Sequence, residues 1–214
     1  MLAALRSTNP KTYLPACVMG AGTRILRRSF YARPTVEVAR ALLGKILVHG
    51  EGSSDNQRAG RIVETEAYLG TADPAAHAYR GMTPRTQVLF GRPGHAYVYL
   101  IYGMHYCLNV AAEAEGTAGC VLIRAVEPVA NLTASGSGPG RLTRAMGITL
   151  EHSGAELTRG PITIREPGPR GPGLAESFKI GVSRRIGIRE AADLPLRFFI
   201  SGNAHVSRAR RLLS

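Results

Sequence analysis

Lysine is nearly missing from this 214-residue chain: it occurs only at Lys11, Lys45 and Lys179, so arginine supplies 24 of the 27 basic residues. Acidic residues are few, 15 against those 27, which leaves a formal net charge of +12. Such a surface concentrates polyanions, so nucleic acid is the first partner to test and an anionic membrane the second. Arginine's planar fork pairs with phosphate and stacks on bases, although a coding bias toward Arg, Ala and Gly would give the same composition. Cysteine is scarce too. Cys17, Cys107 and Cys120 are odd in number and too widely spaced for a metal knuckle, which argues against a disulfide framework and for a reducing, cytosolic setting. No apolar run approaches the length of a spanning helix, so nothing is expected to span a membrane, and residues 1–6 lack the apolar core of a signal peptide. Phosphate-loop and dinucleotide fingerprints are absent. With no Cys/His cluster and no histidine pair at i and i+4, a zinc deaminase or metallonuclease is disfavoured.

What is present suffices for one packed domain. Hydrophobic residues make up 44% of the chain, and a chain of this length buries about 70% of the surface that its unfolded form exposes. Residues 1–27 lack periodicity and read as an N-terminal extension, 28–207 as a single domain, and 208–214 as a basic, frayed tail. Within the domain, residues 35–43 carry an apolar helical face ended by Gly44. Strands are expected at 45–49 and 61–68, joined by a polar loop at 51–60. After a loop at 70–93, two β-rich runs, 95–102 and 105–110, flank Gly103-Met104 as a protruding hairpin. Another strand follows at 120–126, then a breaker at 135–140, a short helix at 142–150, a strand at 161–165, a loop at 167–173 and a strand at 196–201. There are no repeats and no βαβ alternation. The expected class is therefore a mixed α/β (α+β) fold, one domain on a largely antiparallel sheet with flanking helices.

The chemistry concentrates in three places. Alternation along 61–68 puts Ile62, Glu64, Glu66 and Tyr68 on one face and Val63, Thr65 and Ala67 on the other. A carboxylate on a mostly buried face is costly unless paired or used, and burial raises its pKa toward the range of a general base. A solvated edge strand, or plain Glu–Arg ion pairs, is the competing explanation. The hairpin holds Tyr97, Tyr99, Tyr102 and Tyr106, half of the eight tyrosines. Ordinary β-propensity accounts for tyrosines in strands, but Tyr102 beside the turn has little core to enter and suits a stacking platform or a wedge between base pairs. Nearby stand His77, Asn109 and Arg124. Arg124 lies in an otherwise apolar strand and needs an anionic partner such as Glu66 or a phosphate.

Arg61-Ile-Val-Glu-Thr-Glu-Ala-Tyr-Leu-Gly70, the Ala75-Ala-His77 loop, Tyr97-Val-Tyr-Leu-Ile-Tyr-Gly-Met104, Asn109 and Val121-Leu-Ile-Arg-Ala-Val-Glu-Pro128 together resemble the alkyladenine (3-methyladenine, methylpurine) DNA glycosylase family, from about Phe30 to Phe198-Phe199. The resemblance implies a base-excision repair enzyme that flips an alkylated or deaminated purine (3-methyladenine, 7-methylguanine, hypoxanthine or ethenoadenine) out of double-stranded DNA. It would hydrolyse the N-glycosidic bond and leave an abasic site, as a monomer with neither metal nor cofactor. By the same resemblance Glu66 is the general base, Arg124 helps hold the attacking water, and a backbone carbonyl at Ile188 binds it. Tyr68 on one side and His77 with Tyr99 on the other sandwich the base, Asn109 crowds the 2-amino group of normal guanine, and Tyr102 intercalates. No lysine lies in these motifs, so a monofunctional hydrolase without a lyase step is expected, in the nucleoid of a bacterium or the nucleus of a eukaryote. His105 departs from the aromatic residue often found after the hairpin turn, the loop at 111–119 is slightly long, and residues 140–188 align poorly with vertebrate members. The alternatives from other classes are a catalytically inactive nucleic-acid-binding module using the same basic surface, and an RNA-binding β-domain.

Overall fold

A computed structural model describes residues 23–50, 57–168 and 177–207. The tail at 208–214, most of the loops at 51–60 and 167–173, and residues 1–22 of the extension lie outside the described residues. Eight strands form one curled sheet in which every pairing is antiparallel among the described residues, as the absence of βαβ alternation implied. They are β1 (Ile46–His49), β2 (Arg58–Tyr68), β3 (Ala96–Ile101), β4 (His105–Ala111), β5 (Cys120–Ala130), β6 (Ile162–Arg165), β7 (Ile180–Ser183) and β8 (Arg197–Ile200). The order is β3-β4-β5-β2-β1-β6, with β8 beside the distal part of β2 and β7 outside β8. β2 organises the sheet. It pairs with β5 along one edge, while its other edge takes β1 over Arg58–Arg61 and β8 over Glu64–Glu66.

Four helices flank the sheet: α1 (Arg28–Tyr31), α2 (Thr35–Ala41), α3 (Gln87–Phe90) and α4 (Pro139–Met146). The face of α2 carrying Val38, Ala39 and Leu42 has no exposed surface and packs in one core cluster with Ile62, Val63 and Ala67 of β2. Full burial of a side chain such as Val38 or Leu42 contributes about 1.5–3 kcal/mol. Leu142 and Met146 of α4 close the same cluster. Ahead of α1, the amide of Leu26 donates to the Ile164 carbonyl at 2.8 Å, and Ile25 bridges Arg165, so residues 24–26 lie along the edge of β6.

The stretch read as loop at 70–93 contains α3, β2 begins at Arg58 inside the stretch read as loop, and β5 runs on to Ala130; two further differences have identifiable reasons. The helix expected at 142–150 begins at Pro139, inside the stretch read as a breaker, because proline is favoured in the first helical turn where its missing N–H would be unpaired anyway. Gly147, at φ 73°, ends it in the left-handed conformation. The four-residue strand β7 carried too little pattern to be read at all; what makes it a strand is its pairing with β8.

Candidate active site

Of the three register shifts between β2 and β5, two are adjacent and compensate each other. Ile62 pairs with Val126 and Glu64 with Ala125, so Val63 is an extra residue on β2; Thr65 then pairs with Ile123, which makes Arg124 the extra residue on β5. A bulged residue is released from the ladder and its side chain is re-aimed. Here Arg124 turns its guanidinium onto the carboxylates of β2. Its Nε donates to Glu64 Oε1 at 2.9 Å, and its Nη1 lies 3.3 Å from Glu66 Oε1.

Neither carboxylate has any exposed surface, yet their surroundings differ. Glu64 also accepts bonds from Arg197 Nε (2.7 Å), the Ser207 hydroxyl (2.8 Å) and the Ser207 amide (2.6 Å). Glu66 has fewer partners: the Ile186 amide donates to Oε1 at 2.7 Å and the Tyr68 hydroxyl to Oε2 at 2.9 Å. Burial raises the pKa of Glu66 above the usual carboxylate value. Arg124, the Ile186 amide and the Tyr68 hydroxyl oppose that rise only in part, and the charge of Glu64 adds to it. A carboxylate held this way accepts a proton more readily than one in water.

Beside Tyr68 opens a cavity of about 320 Å³, lined by Tyr68, His77, Tyr99, Tyr102, Asn109 and Ile188 among others. Every one of the residues singled out for base binding and intercalation therefore meets at one pocket, with Glu66 joined to it through the Tyr68 hydroxyl. His77 sits edge-on to Tyr99 at 4.5 Å between centroids, and its Nδ1 lies 2.9 Å from the Tyr97 hydroxyl. That hydroxyl already accepts from Arg85 Nε at 3.1 Å. It can still donate its own proton to Nδ1, in the tautomer that carries the imidazole proton on Nε2. His77 is exposed as a residue, yet partial desolvation of its ring against the pocket wall, with Arg85 beside it, lowers its pKa, so the imidazole is neutral at pH 7. Asn109 is fixed from two sides: its Nδ2 donates to the Tyr97 carbonyl at 3.1 Å, and the Cys120 thiol lies 3.9 Å from its Oδ1. Burial pushes that thiol up to about 12, so it stays protonated.

The hairpin loop is one residue longer than the sequence reading: Tyr102 joins Gly103 and Met104 between the paired Ile101 and His105. Tyr102 and Gly103 stand at φ 54° and 68°, and the Met104 amide donates back to the Ile101 carbonyl. Positive φ at two successive positions gives the turn a twist that matches that of a hairpin. Tyr102 is 79% exposed and Met104 70%, so the tip presents two large side chains to solvent. For a bulky residue such as tyrosine this backbone conformation is strained by about 1–2 kcal/mol.

The region of Ile188 holds two surprises. Ile188 lines the cavity, but the backbone group that touches Glu66 is the amide of Ile186, two residues earlier. Immediately before it, Arg185 forms a forked, fully buried ion pair with Asp73 and lies 4.6 Å over the Tyr68 ring. Asp73 in turn accepts from the amides of Leu69 and Ala75. Burial alone would raise its carboxyl, but the Arg185 bonds and charge outweigh that and hold it below the usual range. The pair thus clamps the loop leading to His77 onto the loop carrying Ile186. Sequence reasoning missed Glu64 as the main partner of Arg124, and it missed this clamp. Arg185 resembled the rest of the basic surface, and only an Asp-Pro start to the 73–77 loop hinted at Asp73. Among the described residues no three His, Cys, Asp or Glu side chains gather so as to hold a metal ion, and no helix is long and apolar enough to cross a membrane.

A buried, proton-accepting glutamate joined to an aromatic pocket, next to a hairpin bearing an exposed tyrosine on a basic protein, is an arrangement suited to an enzyme that acts on nucleic acid. The model of the methylpurine-DNA glycosylase family matches residues 29–204, and the chain belongs to that family. It is 48% identical over 195 residues to a protein of Methanoculleus marisnigri named for 3-methyladenine DNA glycosylase activity, covering 86% of this chain and 98% of that one. A Legionella pneumophila protein of the same name is 48% identical over 86% of this chain and 99% of its own length. One from Myxococcus xanthus is 49% identical over 86% and 93%. Membership makes the chain a DNA glycosylase, a hydrolase of DNA repair.

Proposed function

We propose that the chain extrudes an alkylated or deaminated purine nucleotide from duplex DNA into the cavity beside Tyr68 and hydrolyses its N-glycosidic bond. The observation that carries this reading is Glu66, wholly buried, raised in pKa and held by Arg124, Tyr68 and the Ile186 amide at the foot of an aromatic pocket. In the proposed reaction Glu66 takes a proton from a water that Arg124 helps to hold. The oxygen bonds to C1′ as the bond from C1′ to the purine nitrogen breaks, and the base leaves with the bonding electrons. A purine alkylated at N3 or N7 is cationic and departs neutral without an acid, whereas a neutral base such as hypoxanthine departs as its anion and takes its proton from solvent. The developing positive charge on the sugar is stabilised by the Glu66 carboxylate and nearby phosphates.

The pocket suits that leaving group. Tyr68 on one side and His77 with Tyr99 on the other would stack on the base, and cation–π attraction for a charged purine contributes about 0.5–2 kcal/mol. A neutral His77 supports this, since a protonated imidazole would repel the same base. Asn109, fixed by Tyr97 and Cys120, would crowd the 2-amino group of undamaged guanine. Tyr102 would fill the gap left in the duplex. The water-binding backbone carbonyl would come from the segment 186–188, with Ile186 the better candidate because its own amide already reaches Glu66. The protein would act as a monomer wherever the duplex is kept, nucleoid or nucleus.

The test is release of free base from duplex oligonucleotides bearing 3-methyladenine, 7-methylguanine, hypoxanthine or ethenoadenine, with chelator present. Release by the native protein, and its loss in Glu66→Gln with lesion binding retained, is the expected result. If no lesion yields free base while duplex still binds, the chain is a non-catalytic binding module.

A further inference from the structure

Glu64 takes no part in the reaction as proposed, yet it is the better-bonded of the two buried carboxylates. It receives Arg124 Nε, Arg197 Nε, and both the amide and the hydroxyl of Ser207. We propose that Glu64 is a positioning residue that aims Arg124 at Glu66 and, by drawing Arg197 onto itself, sets the charge balance in which Glu66 works; this rests on Glu66 being the catalytic base.

The aiming follows from the shape of a guanidinium. Arg124 is freed from the ladder by its bulge, so something other than backbone pairing must orient it. Glu64 holds its Nε, and the Ser207 hydroxyl lies 3.5 Å from its Nη2. With those two nitrogens tied on one side of a rigid planar group, Nη1 is the one left to face Glu66. Arg197 is diverted in a comparable way. It stands opposite Glu66 in the register of β8, but its Nε goes to Glu64, its Nη1 to the Ser183 hydroxyl at 2.9 Å and its Nη2 to the Ser207 carbonyl at 3.2 Å.

The charge balance follows from a census of what faces Glu66. β2 contributes Glu64 and Tyr68, β5 contributes Arg124, β4 the Cys107 thiol, β8 Arg197, and the segment after β7 the Ile186 amide. Two carboxylates and two guanidiniums cancel. Were Glu64 neutral, Glu66 would face the buried Arg124 guanidinium, with the partly buried Arg197 opposite it in the register and no second carboxylate beside them, and its affinity for a proton would fall along with its strength as a base. Were Arg197 neutral instead, the balance would tip the other way.

Those opposite signs provide the experiment. Glu66 is titrated in the intact protein by ¹³C NMR of labelled glutamate carboxyls, assigned by its loss in Glu66→Gln. The pH profile of single-turnover hypoxanthine release is measured alongside. Glu64→Gln is expected to lower the Glu66 midpoint by about one pH unit or more, to move the acidic limb of the rate profile down equally, and to reduce the plateau rate about tenfold, the lower end of what general base catalysis contributes. Arg197→Gln is expected to move both midpoints upward. A fold merely weakened by either change would lower the melting temperature without moving the midpoints in opposite directions. Midpoints that stay put, or that shift the same way in both variants, overturn the proposal. Should Glu64→Gln fail to fold, Arg197→Gln decides alone, an unmoved or lowered midpoint refuting the coupling. The NMR midpoint is read without turnover, so a native protein that releases no base defeats the glycosylase reading and leaves the coupling to be judged by its own measurement.

Discussion

Glu64 and Glu66 are the same residue two positions apart on one strand, both without exposed surface, and their surroundings give them different work. Glu64 is bonded by two arginines and Ser207, whereas Glu66 keeps a raised pKa under one arginine, an amide and a hydroxyl. A carboxyl whose folded pKa lies above its unfolded value binds its proton more tightly in the native state, so stability falls as pH rises from the unfolded to the folded pKa. Above that window the charge is a standing cost to the fold. Glu66→Gln should therefore raise the melting temperature at pH 7.5, and the gain should shrink as the pH is lowered through the carboxylate range. Calorimetry at pH 4.5, 6 and 7.5 measures it; a variant less stable than the native protein at every pH would mean that the charged form of Glu66 is welcome in the fold. Much of this was legible in the sequence. Two glutamates on one strand face and an arginine in an apolar strand are anomalies that local pattern exposes. The buried pairing of Asp73 with Arg185 was not, because the two lie 112 residues apart and each looks ordinary beside its own neighbours.

Among the elements, the β3–β4 hairpin departs most plainly from local preference. A tyrosine at φ 54° is a poor choice for a hairpin turn, and asparagine or glycine would sit there with less strain. The sequence reading of Gly103-Met104 as the turn followed from this rule; both residues are in the loop, and the reading missed Tyr102 beside them because Tyr102 breaks the rule. Strain of this kind persists where the residue has another use. Tyr102→Asn should accordingly leave the melting temperature unchanged or raise it by a few degrees, roughly what about 1 kcal/mol yields in a domain of this size. Excision of hypoxanthine from duplex DNA should drop at least tenfold, with a smaller loss on single strands, where no gap needs filling. A pronounced fall in melting temperature would instead make Tyr102 part of the packing. Elsewhere the elements were read well where hydrophobic period decides them, as along α2, and badly where pairing alone does, as at β7.

At the scale of the whole molecule the net charge of +12 divides into two populations. Arg124 and Arg185 are buried against Glu64, Glu66 and Asp73, and Arg197 is largely covered and also tied to Glu64; these charges are cancelled where they stand and attract no distant phosphate. The positive potential left for DNA to meet comes from exposed residues such as Arg80, in the loop after His77, and Arg141, next to Gly140, which lies against His105 beside the hairpin turn. Binding through such residues displaces counterions, so the logarithm of affinity for undamaged duplex should fall linearly with the logarithm of salt concentration. Arg80→Ala and Arg141→Ala should each weaken binding alike on every sequence and flatten that slope by about one. Arg185→Lys should leave the slope unchanged while lowering stability, since a lysine cannot reproduce the fork on Asp73. Fluorescence anisotropy across a salt series on the four proteins decides it. A native slope near zero would remove the charge from any part in the search for damage, and a slope altered by Arg185→Lys would return that residue to the DNA-facing surface.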